Sequence, residues 1–262
     1  MTGPRIFAPE YYARMRELES GSWWNAAMRD VAERLLSQAR LPAQGRLLDV
    51  GCGSGQTMSW FRARWPGWET LGLDVARDGL VAAHRGGGER VVGASALDLP
   101  MPDGSVDAVI TLDVLQHLPL DGGDLQAMRE MHRVLRPGGV LFIRTNAQSW
   151  PPTDDDPEYK FHKYHTGELR RKLEASGFLV RRVGRVNALL GLAEIPREFR
   201  AKRAGGEGYV GLLAELPKRN LLWHAKRAWL GVEGSAVAAG LSLPLGRTLV
   251  AVAEARTGGR SQ

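Results

Sequence analysis

Short apolar runs alternate with amphipathic segments along most of the chain. Between residues 46 and 145, five apolar runs are separated by segments whose apolar residues recur every three or four positions. The runs predict buried strands and the periodic segments predict helices. Two further runs cover residues 178–186 and 247–255. Because such alternation produces parallel strands with right-handed crossovers, we predict an α/β protein with a doubly wound, mostly parallel sheet of seven strands.

Helical patterns flank this alternation on both sides. Residues 11–40 carry apolar positions at helical spacing, and Pro42 ends the pattern. A second helical region lies between Asn187 and Gly246, where proline and glycine interrupt it. Because this region precedes the last predicted strand, we expect a helical elaboration over one edge of the sheet.

The composition is that of a globular protein from a reducing compartment. Apolar residues make up 44% of the chain, and Cys52 is the one cysteine, so no internal disulfide can form. The first twenty residues lack the apolar core of a signal peptide. The longest apolar stretch, 235–253, is interrupted by Pro244, Gly246 and Arg247. We therefore expect no membrane span and a cytoplasmic location.

Positive charge is concentrated in one part of the chain. The formal net charge is +6, and residues 158–228 contain 16 Lys or Arg against 7 Asp or Glu. Such an excess occurs on solvated surfaces and on surfaces that bind nucleic acid or anionic lipid. We interpret it as a solvated surface and expect no nucleic-acid partner. Weak association with an anionic membrane surface is a further hypothesis, suggested by Trp223 and Trp229.

The stretch "RLLDVGCGSGQT" contains the strongest indication of a binding site. Gly51, Gly53 and Gly55 follow the first predicted strand and precede a helix. Glycines at this place let a ligand approach the backbone, and the spacing differs from that of dinucleotide-binding and P-loop motifs. Asp74 ends the second strand, where an acidic side chain can accept hydrogen bonds from ribose hydroxyls. The pattern favours a nucleoside with a small zwitterionic tail.

Four ordered blocks between Arg46 and Thr145 extend this interpretation. They read "LLDVGCGSGQ", "LGLDVA", "LDLPMPDGSVDAVITLDVLQHL" and "EMHRVLRPGGVLFI". Together they resemble the class I S-adenosylmethionine-dependent methyltransferases, in the small-molecule branch of type 11 methyltransferases. The resemblance implies S-adenosylmethionine as the cofactor and a Rossmann-like sheet whose last strand is antiparallel.

The resemblance also divides the chain into functional parts. We expect an N-terminal helical lid (1–42), a cofactor-binding core (43–186), a helical acceptor cap (187–246), and the last core strand with a tail (247–262).

A cofactor-binding role is implied for ten positions. Asp49 would orient the glycine loop, and Asp74 would hold the ribose. Ser95 stands where relatives carry an Asp that contacts adenine, so adenine recognition would fall to its hydroxyl and to the Ala96 backbone N–H. The end of the fourth strand would lie beside the methionine part and the sulfonium. The ten positions are Asp49, Gly51, Gly53, Gly55, Asp74, Val75, Ser95, Ala96, Leu112 and Asp113.

Three residues are candidates for catalysis. His117 follows the fourth strand, and its near-neutral pKa suits a base for a hydroxyl acceptor. His162 and Tyr164 belong to a loop that relatives fold toward the acceptor. Packing roles for all three stay open. The single cysteine, the scattered histidines and the polar turn at Asp154–Asp156 predict no metal site.

The segment "ELESGSWW" resembles a subset of these enzymes with E-x-x-H/S-W-W before the first strand. Trp23 and Trp24 would form either an aromatic lid or part of the core. Asn25 and Met28 depart from the residues of that subset, which weakens any transfer of substrate contacts.

We therefore expect methyl transfer to a small natural-product, sugar or lipid-linked acceptor of secondary metabolism, at oxygen or less readily at nitrogen or carbon. The alternatives are a transfer-RNA methyltransferase and a cofactor-binding protein without turnover. The oligomeric state is left open.

Overall fold

A single seven-stranded sheet organises the protein. The computed structural model describes residues 19–85, 90–148, 162–189 and 219–256. The strands are β1 (Gly45–Val50), β2 (Trp68–Asp74), β3 (Arg90–Gly93), β4 (Val106–Leu112), β5 (Leu135–Asn146), β6 (Phe178–Val186) and β7 (Thr248–Ala255). Each corresponds to one of the apolar runs, so the predicted number of strands is confirmed.

The strand order is β3-β2-β1-β4-β5-β7-β6. Strands β1 to β5 pair in parallel, whereas β7 is antiparallel to both β5 and β6. The predicted doubly wound sheet with an antiparallel last strand is therefore confirmed. The chain reverses its direction of winding between β1 and β4, and the crevice at such a switch point is where open α/β sheets bind ligands.

Helices cover both faces of the sheet. They are α1 (Trp23–Gln38), α2 (Gln56–Arg64), α3 (Arg77–Arg85), α4 (Gly123–Val134), α5 (Thr166–Ala175) and α6 (Leu221–Ala238). Buried side chains of α1, α2 and α6 form one apolar cluster with the sheet, and those of α4 and α5 form another on the opposite face. We call these the α1 face and the α4 face.

Helix α1 is a core helix for most of its length. Ser22 caps it, accepting a hydrogen bond from the Asn25 backbone N at 3.3 Å, so the helical signal of residues 11–40 is interrupted there. Met28 is only 2% exposed and lies in the core, which removes it from substrate contact. Trp23 and Trp24 are half-buried against the same cluster. Helix α1 is therefore part of the helical layer that packs on this face of the sheet.

The elaboration before β7 is described in part. Helix α6 packs against α1 and β6, and β6 is an edge strand, as expected for a cover over one edge of the sheet. Residues 190–218 lie outside the described residues. No helix among those described is long and apolar enough to cross a membrane.

Two boundaries differ from the sequence pattern. Strand β3 ends at Gly93, before Ser95, because the chain turns there into an isolated bridge between Ser95 and Asp98. Strand β5 begins at Leu135, so Pro137, Gly138 and Gly139 lie within the strand although these residue types usually interrupt one. A register shift in the β4–β5 pairing accommodates these extra residues.

Candidate functional site

The glycine loop joins β1 to α2 at the switch point. Gly51, Gly53 and Gly55 have φ values of 79°, 48° and 76°, a conformation that L side chains rarely adopt. At Gly51 a side chain would also collide with its surroundings, because an added Cβ would lie 2.1 Å from Cγ2 of Val114. The loop therefore presents bare backbone and contacts the chain that follows β4.

Asp74 connects the end of β2 to this loop. Its Oδ2 accepts a hydrogen bond from the Gly53 backbone N at 2.8 Å, and its Oδ1 accepts one from Ala76 N at 2.8 Å. An ionised carboxylate has about four acceptor positions, so both oxygens can also accept ribose hydroxyls. Val75, the next residue, is 77% exposed at the same rim.

Asp49 and the turn after β3 lie on either side of Asp74. Asp49 is 1% exposed in β1, where it pairs in register with Gly72 and Ile110, so it supports the loop from within the sheet. The Ser95 Oγ accepts a hydrogen bond from Leu97 N at 3.1 Å, which leaves its hydroxyl hydrogen to donate to a ligand. Ala96 is buried beside it.

The end of β4 carries a charged pair. Leu112 is half-buried, and Asp113 has a φ of 59°, a left-handed conformation that Asp tolerates better than most residues. Its Oδ2 accepts hydrogen bonds from Nε and Nη2 of Arg144, the former at 3.0 Å. The guanidinium of Arg144 lies over the Trp24 ring, 4.6 Å from its centroid. These contacts join β4 and β5 to the start of α1.

His117 ends a 3₁₀ turn, Leu115–His117, that follows β4 directly. The side chain keeps access to solvent, yet the surrounding protein lowers the pKa of its imidazole by disfavouring the charged form. The nearby Asp113 carboxylate opposes this shift. A lowered pKa keeps the imidazole neutral at pH 7, the form in which it can accept a proton.

His162 and Tyr164 are held in a closed network on the α4 face. The rings stack with centroids 4.0 Å apart, and His162 Nε2 lies 3.1 Å from Oε1 of Glu168. Tyr164 is fully buried, and its hydroxyl lies 3.0 Å from Oδ2 of Asp124. Nζ of Lys172 contacts the same oxygen.

Burial and the Asp124 carboxylate raise the pKa of the Tyr164 phenol well above its ordinary value. The Tyr164 hydroxyl is thus engaged within the core. It lies 3.3 Å from Leu115 O, and through this contact Tyr164 positions the chain around His117.

Sequence reasoning missed three charged residues at the same edge of the sheet. Glu19 bonds to the glycine loop, Arg144 pairs with Asp113, and Arg29 lies within electrostatic range of Glu19 and Arg144. Glu19 begins the E-x-x-S-W-W pattern and Arg144 closes the fifth apolar run, which are the signals that could have drawn attention to them. Nothing in the sequence marks Arg29.

A metal site does not emerge from the described ranges. Within them, no group of three or more His, Cys, Asp or Glu is arranged to hold a metal ion. The polar run Asp154–Asp156 lies outside those ranges.

Comparison with known proteins identifies the family. A family model described as a methyltransferase domain matches residues 48–143, which include the glycine loop, Asp74 and the His117 turn. The matched region is a class I S-adenosylmethionine-dependent methyltransferase domain. The cofactor of these methyltransferases is S-adenosylmethionine, as the resemblance implied.

Curated relatives match about half of this chain. A probable S-adenosylmethionine-dependent methyltransferase of Mycolicibacterium smegmatis is 36% identical over 157 residues, which are 57% of this chain and 58% of the relative. A malonyl-(acyl-carrier protein) O-methyltransferase of Serratia marcescens is 36% identical over 124 residues, 47% of this chain and 46% of the relative. The chain thus spans about half the length of the curated relatives it matches.

Solved structures agree with the fold. The (4+2)-cyclase SpnF superposes with a TM-score of 0.60 at 21% identity, covering 95% of this chain and 94% of that chain. Because that neighbour is named a cyclase, the shared fold alone does not assign a reaction.

The residues present fit the cofactor. The bare backbone of Gly51, the Asp74 carboxylate and the Ser95 hydroxyl lie at or just after the ends of β1, β2 and β3 in turn, which is the order in which an adenosyl ligand would meet them.

Proposed function

We propose that this methyltransferase transfers a methyl group from S-adenosylmethionine to an oxygen atom of a small-molecule acceptor. The observation that carries the proposal is the contact between the glycine loop and the turn that bears His117. Val114 touches the Gly51 position, and His117 lies three residues further along. This contact supports a role for His117 as a proton acceptor near the backbone that would hold the methionine part of the cofactor.

The chain's own residues have distinct tasks in this proposal. The glycine loop, Asp74 and the Ser95–Ala96 turn bind and orient the cofactor, which supplies a methyl group on a positively charged sulfur when bound. The neutral His117 imidazole accepts the proton of the acceptor hydroxyl as that oxygen is methylated. Asp113 favours the imidazolium that results. Alignment of the reacting atoms supplies much of the acceleration of such an in-line displacement.

The acceptor class is supported by the relatives and by the surface charge. One relative is named a malonyl-(acyl-carrier protein) O-methyltransferase, which is consistent with an oxygen acceptor. An RNA acceptor is disfavoured because described arginines of the basic segment already have protein partners. Arg170 contacts Glu174, Arg181 contacts Glu254, Arg227 contacts Asp30, and Arg185 donates a hydrogen bond to Gln148 O.

The proposal is tested with methyl-labelled cofactor and a metabolite extract, followed by mass spectrometry. We expect a labelled product with the mass of one added methylene, and alkylation at oxygen. The absence of any labelled product while the cofactor binds would favour a binding protein without turnover.

His117→Ala is expected to lower turnover by about a hundredfold or more, the usual contribution of a general base, with cofactor affinity unchanged. His84→Ala, at an exposed position in α3, is the matched control. Full activity of His117→Ala between pH 6 and 9 would remove His117 as the base.

A further inference from the structure

The segment before α1 is tied to the glycine loop. Ser54 lies between two of the loop glycines, is 4% exposed, and donates a hydrogen bond from its Oγ to Oε2 of Glu19 at 3.0 Å. Burial raises the pKa of Glu19, with Ser54 and Arg29 opposing the rise. An acidic group is thus held against the loop in a poorly solvated place.

Arg29 supplies the complementary positive charge without being paired. The side chain is partly buried, and no hydrogen bond or ion pair within 4.0 Å joins it to another residue in the described part of the chain. Arg144, in contrast, is bound to Asp113 and stacked on Trp24. Burial lowers the pKa of Arg29, Glu19 opposes that effect, and Arg144 adds to it. A guanidinium in this setting gains stability from an incoming anion.

The order of the strands indicates which ligand group reaches this place. The base end of an adenosyl ligand would lie at β3 near Ser95, and its ribose at β2 near Asp74. Neighbouring strands are about 4.8 Å apart, so the other end of the ligand extends across β1 toward β4 and β5. Ser54 with Glu19 lies after β1, and Arg144 lies two residues before the end of β5. The amino-acid end of such a ligand would therefore lie on the side of Glu19 and Arg29.

We propose that Glu19 and Arg29 form a paired-charge site for this amino-acid end, in which Arg29 binds the carboxylate and Glu19 binds the ammonium group. The site rests on the proposed function, because it takes the same cofactor. In this proposal the N-terminal segment recognises the zwitterionic amino-acid end of the cofactor, while the glycine loop supplies backbone contacts.

The test is calorimetric binding of four adenosyl ligands to the full chain and its variants. The ligands are S-adenosylhomocysteine, its analogue without the carboxylate (5′-(3-aminopropylthio)-5′-deoxyadenosine), its analogue without the ammonium group (5′-(3-carboxypropylthio)-5′-deoxyadenosine), and 5′-methylthioadenosine, which lacks both. The variants are Arg29→Met and Glu19→Gln. Arg34→Met, at an exposed position on the same helix, is the control.

We expect Arg29→Met to weaken S-adenosylhomocysteine by about tenfold or more, the usual effect of losing a charged hydrogen bond, and to leave the aminopropyl analogue unchanged. Glu19→Gln should weaken S-adenosylhomocysteine and leave the carboxypropyl analogue unchanged. Neither variant should affect 5′-methylthioadenosine, and Arg34→Met should match the wild type throughout.

Three results would overturn the site. The first is an Arg29→Met variant that binds S-adenosylhomocysteine as tightly as the wild type does, and the second is a variant that binds all four ligands equally more weakly. The third, which applies even if a variant does not fold, is a wild-type protein that binds the aminopropyl analogue as tightly as S-adenosylhomocysteine. A wild-type protein that binds none of the four would remove the proposed function together with the site.

Discussion

Two polar clusters flank the same strand ends on opposite faces of the sheet, and they differ in how completely their charges are paired. On the α4 face, the Asp124 carboxylate contacts both Tyr164 and Lys172, and Glu168 contacts His162 and Lys172. On the α1 face, Arg144 and Asp113 pair, whereas Arg29 has no such partner among the described residues.

The difference separates a structural cluster from a binding cluster. Each charged group of the α4-face cluster contacts a partner within the cluster, so the cluster fixes the chain around His117. On the α1 face, the Arg29 guanidinium has no ion-pair partner within 4.0 Å among the described residues, which is typical of a site completed by its ligand. Variants on the α4 face should therefore change stability, and variants on the α1 face and the loop should change affinity.

The largest effect is expected at the loop. Gly51→Ala forces a Cβ against Val114 and strains a φ of 79°, so we expect about 3 kcal/mol of lost unfolding free energy and no measurable binding of S-adenosylhomocysteine. Gly122→Ala, at the start of α4, has a φ of 102° but open space around the added Cβ. It should lose about 1 kcal/mol and keep its affinity in urea unfolding and calorimetry. Equal affinity losses in both variants would contradict the steric argument.

Lys172→Met tests the closed cluster. It leaves Asp124, whose side chain is 3% exposed, without its cation, and we expect a loss of about 3 kcal/mol in unfolding free energy with unchanged affinity for S-adenosylhomocysteine. Burial acts to raise the pKa of Asp124, but Lys172 and Tyr164 outweigh it and hold that pKa below its ordinary value.

The sign of the pH effect follows from that lowered pKa. In the wild type, the ionised Asp124 contributes stability above its unfolded pKa of about 3.9, and this is lost as the pH falls through the folded value. Without Lys172 the folded pKa rises, so acid unfolding should begin at a higher pH. A weaker ligand affinity in this variant would place the cluster in the binding site instead.

The sequence was sufficient to predict those features of the fold and of the site that depend on local patterns. The seven strands, the glycine loop and Asp74 each follow from residues close together in the chain. The bond between Glu19 and Ser54 joins residues 35 positions apart, and the Arg144–Asp113 pair forms because β4 and β5 are neighbours. The burial of Tyr164 depends on packing between the β5–α5 connection and α4. Such contacts between distant parts of the chain produce no periodic pattern in the sequence. For this reason the sequence did not reveal the charged cluster of Glu19, Arg29 and Arg144.

Asp113→Asn tests the coupling between the α1-face cluster and the proposed base. Asp113 opposes the lowering of the His117 pKa, so its replacement should lower that pKa further and move the acidic limb of the kcat/KM profile to lower pH. An acidic limb that stays in place or moves to higher pH would contradict the assignment of His117.

The smallest effect is expected at the adenine end. Ser95→Ala removes one neutral hydroxyl and should weaken S-adenosylhomocysteine by about two- to fivefold, since a neutral hydrogen bond contributes about 0.5–1 kcal/mol. A loss above about a hundredfold would mean that Ser95 contributes as much as a charged residue.

The account depends most on the glycine loop and Asp74 together binding an adenosyl ligand, and calorimetric titration of the wild-type protein with S-adenosylhomocysteine tests this directly. We expect binding at one site per chain, weakened more than about tenfold by Asp74→Ala and unchanged by Asp121→Asn at an exposed position. No heat of binding with the wild type, or equal affinity of Asp74→Ala and the wild type, would contradict it.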